Sequence, residues 1–138
     1  MDYEFSDDQI IDSSNDEALN GNSGKDNIGG GKGDDNISGE RGADTLKGGK
    51  GDDTLDGGEG NDLLVGGKGS DTYQLSVGND TIQGYKAGDQ IVLSDELIQS
   101  GLSKNDVEVE TTRINGKESA ILSYRIDGKK YTTTVISL

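Results

Sequence analysis

From Gly21 to Gln74 the chain repeats every nine residues without a slip, as GNSGKDNIG, GGKGDDNIS, GERGADTLK, GGKGDDTLD, GGEGNDLLV and GGKGSDTYQ. Two weaker copies follow, LSVGNDTIQ at 75–83 and GYKAGDQIV at 84–92, and DSSNDEALN at 12–20 reads as a worn copy in front. A period this strict constrains the fold more than any other feature of the chain. It calls for a stack of like units in which each copy touches only its neighbours, with atypical units at both ends.

Within the unit, position six is always aspartate (Asp26, Asp35, Asp44, Asp53, Asp62, Asp71, Asp80, Asp89) and position four is glycine from Gly24 through Gly78. Position eight is always large and apolar: Ile28, Ile37, Leu46, Leu55, Leu64, Tyr73, Ile82 and Ile91. One apolar side chain per copy is buried only if every copy delivers it to a shared interior, so a turn of about six residues must alternate with a strand of about three. Two copies then make one coil. Odd copies stack Ile28, Leu46, Leu64 and Ile82 in one parallel sheet, and even copies stack Ile37, Leu55, Tyr73 and Ile91 in the sheet facing it. The glycines exclude a helix and suit tight turns that need positive φ and close backbone approach.

Past the ladder, SDELIQSGL (94–102) predicts one short helix with Ser94 as N-cap and Gly101 as its stop. The segments VEVETTRI, AILSYRI and YTTTVISL are separated by Asn115-Gly116 and Asp127-Gly128, both two-residue hairpin signals. The expectation is an all-β chain: residues 1–20 form an N-terminal cap or degenerate repeat, 21–92 a parallel β-roll, and 93–138 an antiparallel meander, with one short helix, that closes its end.

Composition narrows the function. Hydrophobic residues make up 28% of the chain, with 23 glycines, one phenylalanine and no tryptophan, values that alone would suggest disorder. A flexible linker, however, needs no apolar residue at every ninth place. The net charge of -14 argues against nucleic acid and anionic membrane surfaces and invites cations. No apolar run approaches the ~18 residues of a membrane span. The start MDYEFSDDQIIDSS has neither a basic nor an apolar leader segment, so export, if it occurs, is expected to use another route. Histidine and cysteine are absent, which removes the common nucleophile and base pairs; the expectation is a module that is not an enzyme.

Stacked turns of this kind supply a carboxylate from position six and carbonyls exposed by the glycines, a hard oxygen set that favours calcium or magnesium, and in a flexible all-protein cage calcium. An EF-hand is set aside because the nearest stretch, Asp52 to Leu63, ends in leucine where a bidentate glutamate is required. The unit resembles the RTX family repeat GGxGxDxUx, which GGKGDDNIS, GGKGDDTLD, GGEGNDLLV and GGKGSDTYQ match in full, while GERGADTLK and GNSGKDNIG depart only at the second glycine. The resemblance implies a right-handed parallel roll that binds calcium between copies two apart. It pairs Asp26 with Asp44, Asp35 with Asp53, Asp44 with Asp62 and Asp53 with Asp71. Asp62 with Asp80 is an edge pair, and Asp71 with Asp89 is not counted because Ala87 replaces glycine. The carbonyl ligands it implies come from Gly21, Gly24, Gly30, Gly31, Gly33, Gly39, Gly42, Gly48, Gly49, Gly51, Gly57, Gly58, Gly60, Gly66, Gly67 and Gly69, for roughly four to six calcium ions.

The same resemblance implies a secreted bacterial protein that passes the type I secretion machinery unfolded, steered by an uncleaved C-terminal signal, and that folds on meeting extracellular calcium. The chain would then be a module stabilising a larger toxin, adhesin or exoenzyme. The alternative is an accessory module binding acidic polysaccharide or a cell surface, resembling the repeat modules of mannuronan epimerases or adhesins. A single apolar row per sheet is too little to order so much glycine and charge, which makes ion binding part of folding. Asp34 and Asp52 at position five are either further ligands or solvated turn residues, and the latter is preferred. The acidic opening with Asp7, Asp8, Asp12, Asp16 and Glu17 either caps the roll, holds one more ion or is solvated. Tyr73 is assigned to the core. Tyr85, Tyr124 and Tyr131 either pack the meander, the preferred reading, or line a sugar platform. YTTTVISL reads as a last strand, as a secretion signal, or as both.

Overall fold

The computed structural model describes residues 9–11 and 14–137. Ten short strands alternate with turns through the ladder: β1 (Gln9–Ile11), β2 (Ala18–Asn20), β3 (Asn27–Gly29), β4 (Asn36–Ser38), β5 (Thr45–Lys50), β6 (Thr54–Asp56), β7 (Leu63–Lys68), β8 (Thr72–Leu75), β9 (Asp80–Tyr85) and β10 (Gln90–Leu93). Odd and even strands separate as the period of nine requires. One sheet runs β1-β3-β5-β7-β9 and the facing sheet β2-β4-β6-β8-β10, parallel throughout. Register is held at position eight: Ile28 pairs with Leu46, Leu46 with Leu64 and Leu64 with Ile82, opposite Ile37, Leu55 and Tyr73. These seven side chains are buried between the sheets and form the core, with Ile91 partly buried at its end.

The stack begins earlier than the strict repeats. Leu19 of the worn copy pairs with Ile37, and one copy further forward Ile10 pairs with Ile28. Ile10, Leu19 and Ile28 stand nine residues apart, so the period itself carries this strand, although the residues around Ile10 bear little of the repeat's glycine.

Helix α1 (Asp95–Gln99) lies where the sequence places it. The Ser94 hydroxyl accepts the Leu97 amide at 3.4 Å, and Gly101 takes φ +93 so that the Gly101 and Leu102 amides close on the Ile98 and Leu97 carbonyls. The meander consists of β11 (Glu108–Ile114), β12 (Lys117–Ile126) and β13 (Lys129–Ser137). Its turns hold Asn115 and Asp127 at φ +53 and +51, each followed by glycine at positive φ, as type I′ hairpins need. The meander does not sit across the roll as a separate lid. Strand β13 joins β9 in parallel, Val135 beside Ile82, and so continues the odd sheet, with β12 and β11 added antiparallel. The end of the roll is covered by a second cluster in which Leu97 of α1 and Tyr124 of β12 pack with Leu75, and Ile91 and Leu122 touch both clusters.

Glycine at position four answers a contact between coils. Gly60 has φ +116, and a methyl group on it would overlap the carbonyl of Gly42 in the coil below. Gly29, at position nine, faces open space. Gly60→Ala is therefore expected to cost at least about 2 kcal/mol, whereas Gly29→Ala leaves stability unchanged or raises it by about 0.5–1 kcal/mol. Thermal unfolding of both variants beside the parent chain in one calcium-containing buffer checks this; equal losses in the two would contradict the stacking argument.

Candidate metal centre

Each position-six aspartate sits at the start of a strand, where its main chain is fully engaged. The amide of Thr45 bonds the Asp26 carbonyl, Thr54 bonds Asp35, Leu63 bonds Asp44, Thr72 bonds Asp53, Thr81 bonds Asp62 and Gln90 bonds Asp71, all at 2.8–2.9 Å. The side chain bonds the other way. Asp44 Oδ1 accepts the Asp26 amide, and the pattern repeats from Asp53 to Asp35, Asp62 to Asp44, Asp71 to Asp53, Asp80 to Asp62 and Asp89 to Asp71, at 2.8–3.0 Å. Glu17 donates its amide to Asp35 Oδ1 in the same manner, which seats the worn copy in the ladder. The result is two rows of carboxylates, one along each edge of the roll, all buried to within a few per cent of full occlusion.

Only one oxygen of each carboxylate is used in this way. Oδ2 of Asp44, Asp53 and Asp62 is buried without a hydrogen-bond partner, and that of Asp71, likewise without one, has the Lys86 ammonium 3.6 Å away. An ionised oxygen left so in a protein interior costs several kcal/mol unless a cation meets it. The space beside it is kept clear by the first glycine of the copy. A methyl group on Gly39, Gly48, Gly57 or Gly66 would overlap Oδ2 of Asp44, Asp53, Asp62 or Asp71 respectively. At Gly48 the same methyl would lie 2.7 Å from the Gly66 carbonyl oxygen of the next coil, and at Gly30 it would lie 2.8 Å from the Gly48 carbonyl oxygen. At these two even copies the cradle thus joins a carboxylate oxygen to a carbonyl from the coil above. Among the described residues no three carboxylates converge on one point. A cation here would take most of its oxygens from the backbone, the donor set of calcium rather than of a thiolate or imidazole metal. The residues present fit such an ion, and of the glycine carbonyls named from the sequence those of Gly48 and Gly66 lie at the cradles of the coils below them.

Burial acts on these acids as it must when no cation offsets it. Desolvation lifts Asp44 and Asp53 from the ordinary 3.8 to about 6 against the lowering effect of the amide bonds, and repulsion from Asp26, and from Asp71 and Asp35, adds to the rise. Asp62, Asp71 and Asp80 are raised for the same first reason.

The predicted ligands Asp26, Asp35, Asp44, Asp53, Asp62 and Asp71 come together in the two rows. Asp80 shares the Oδ1 bond, but its Oδ2 accepts the Ser76 hydroxyl at 3.1 Å. Asp89, not counted from the sequence, makes the Oδ1 bond to the Asp71 amide. Position five proves to be a ladder of its own. Exposed Asp16, Asp34 and Asp52 accept, through Oδ1, the amides of Asp34, Asp52 and Ser70 eighteen residues on, at 2.7–2.8 Å. On the odd side Asn61 accepts from Asn79, and Asn79 from Thr132 of β13. These residues serve the stack of turns rather than standing idle in solvent, and the recurrence of Asp and Asn at position five is the signal that carries it. Asp7, Asp8 and Asp12 lie outside the described residues. Tyr73 is in the core and its hydroxyl accepts the Gly66 amide at 2.8 Å. Tyr124 is buried and stacks on Tyr131, and the Tyr85 hydroxyl donates to the Asp89 carbonyl, so the three tyrosines are engaged in packing.

The fold and these cradles define a parallel β-roll whose turns are built around cations. The sequence profile of the RTX calcium-binding nonapeptide repeat matches residues 11–46, 38–73 and 65–95, more than half of the 138-residue chain. The chain belongs to that family. Among solved structures it is similar to the AlgE6R2 subunit of the Azotobacter vinelandii mannuronan C5-epimerase, with 20% identity over 94% of this chain and 84% of that one and a TM-score of 0.40. No curated protein matches it.

Because the folded, ion-free roll holds protons on Asp44 and Asp53 that the unfolded chain has released, their contribution to its stability is full below about pH 4 and is lost as the pH rises through about 6. In chelator, ordered β signal should therefore grow as the pH is lowered from 7 towards 4. Calcium must displace the same protons, so binding should release more protons at pH 6 than at pH 8. Calorimetry in buffers of different ionisation enthalpy measures this, and pH-independent binding would contradict burial of the carboxylates.

Proposed function

We propose that this chain is a calcium-triggered folding module: it is unfolded at cytosolic calcium, passes the type I secretion machinery in that state, and folds outside the cell to stabilise the larger bacterial protein that carries it. The observation that carries the reading is the repeated pairing of a buried, unpartnered Asp Oδ2 with a glycine whose missing side chain leaves the cradle open. The ligands would be Asp26, Asp35, Asp44, Asp53, Asp62 and Asp71, with backbone carbonyls of the glycine turns. Asp80 would serve as an edge ligand through whatever capacity its bonds to Asp62 and Ser76 leave. When bound, calcium supplies the positive charge that lets adjacent carboxylates stack. The protein's own part is to hold Oδ1 against the next amide and to keep the turn free of side chains. The module itself carries out no reaction.

Sites of this kind outside cells commonly bind at ~10⁻⁴–10⁻³ M, above cytosolic and below extracellular calcium. A titration followed by circular dichroism and hydrodynamic radius should show an expanded chain that contracts and gains β signal over that range, while magnesium at equal concentration does little. A radius that stays expanded at ~10 mM calcium would sink the proposal.

Two adjacent aspartates separate ligand from scaffold. Asp53→Asn keeps an oxygen for the Asp35 amide but removes the charge in the cradle, and should raise the calcium midpoint about tenfold, the equivalent of ~1.4 kcal/mol. Asp52→Asn retains the bond to Ser70 and is exposed, so its midpoint should stay within about twofold of the parent's. Equal shifts would contradict the assignment.

A further inference from the structure

Position three of every even copy from Gly30 onward is lysine: Lys32, Lys50, Lys68 and Lys86, eighteen residues apart. Lys32, Lys50 and Lys68 are exposed. Lys86 is turned inward. Its Nζ donates to the Gly67 carbonyl at 2.7 Å and lies 3.6 Å from Asp71 Oδ2 and 3.4 Å from Asp89 Oδ1, both side chains fully buried. Its amide donates to Asp89 Oδ2 at 3.0 Å, which pins the residue to the aspartate of its own copy.

The oxygens around this ammonium are of the kind that the lower cradles gather: a carbonyl from a glycine pair and carboxylates from aspartates eighteen residues apart. What differs is the coil above. Strand β10 is the edge of the even sheet, so no further copy stacks on Asp89 to contribute carbonyls. A bare cation there would lack half its shell. An ammonium carries its charge with only three donors to satisfy, and its four-carbon stem brings it in from the side. The odd row ends differently, with the Ser76 hydroxyl on Asp80 Oδ2 and the Tyr124 hydroxyl on the Ser76 carbonyl.

We propose that the Lys86 ammonium is a tethered cation that closes the even row, holding between Asp71 and Asp89 the place that calcium takes between the aspartates below. The even row would then take ions no further than Asp53 with Asp71, and its last turn would keep its charge balance without metal. This rests on the calcium reading of the rows, and the test is arranged to separate the two.

Bound calcium is counted by native mass spectrometry on the full chain at saturating calcium, for the parent, Lys86→Met and, as control, Lys68→Met. The expected result is one more calcium in Lys86→Met than in the parent and no change in Lys68→Met. An unchanged, non-zero count in Lys86→Met, or a gain in both variants, overturns the proposal. A parent that binds no calcium overturns the calcium reading instead. Should Lys86→Met fail to fold in calcium, the parent decides: side-chain ammonium NMR of ¹⁵N-lysine protein should show Lys86 Nζ protons exchanging with water at least about tenfold more slowly than those of Lys68, since a held ammonium exchanges only when its bonds open. Exchange as fast as that of Lys68 overturns the proposal.

Discussion

The structure depends on a row of carboxylates that cannot be both buried and ionised unless something positive lies between them. Each aspartate spends Oδ1 on the amide of the copy eighteen residues earlier, a bond that aligns one coil on the next. The same bond forces the carboxylates into single file at the sheet spacing of about 4.8 Å, where like charges repel and water is excluded. Alignment and repulsion therefore come from one side chain. A cation between them would remove the repulsion and leave the alignment, which is the physical basis of the proposed coupling of folding to binding.

The apolar core could not do this alone. One side chain per copy, Ile28 through Ile82 and Ile37 through Tyr73, fixes which face of each strand points inward and holds register, but it fills only a single file between the sheets. Everything outside that file is turn. The turns earn their order from contacts between backbones: the position-four glycines of successive coils approach so closely that even a methyl group would overlap a carbonyl. At Gly30 and Gly48 the missing side chain also leaves a carbonyl oxygen of the next coil beside the carboxylate, an oxygen that a bound cation would take. Asn22 and Glu40, the departures from glycine at position two, keep the left-handed backbone at φ +65 and +69, so the turn dictates the conformation even where the residue resists it.

What the sequence made legible follows from how local each feature is. The period of nine fixes strand length, two-sheet architecture and the inward residue, and the NG and DG pairs fix the hairpins. All of these are decided within a few residues. The ladder at position five was harder to read, because Asp34 and Asp52 are exposed and share their place with Ala43 and Ser70; their partners lie eighteen residues away, and only the coil brings them together. The attachment of β13 to β9 was harder still. Nothing in YTTTVISL marks it as parallel to a strand more than forty residues earlier, and the antiparallel hairpins on its other side hide the fact. The roles of Ser76 and Lys86 depend on where the stack ends, which no single copy can state.

Ending the stack is the problem that a repeat cannot solve with more of itself, since each parallel sheet offers an open edge to another copy or another molecule. The two sheets solve it separately. The odd sheet is extended by β13 and turned antiparallel by β12, so that its edge becomes β11, where Glu108, Glu110 and Arg113 face solvent and discourage further pairing. The even sheet stops at β10, and helix α1 folds back so that Leu97 reaches Leu75 beside the last core residues. The carboxylate rows must end at the same place, and each is met by a group suited to what remains above it: a hydroxyl where β13 continues the sheet, an ammonium where nothing does.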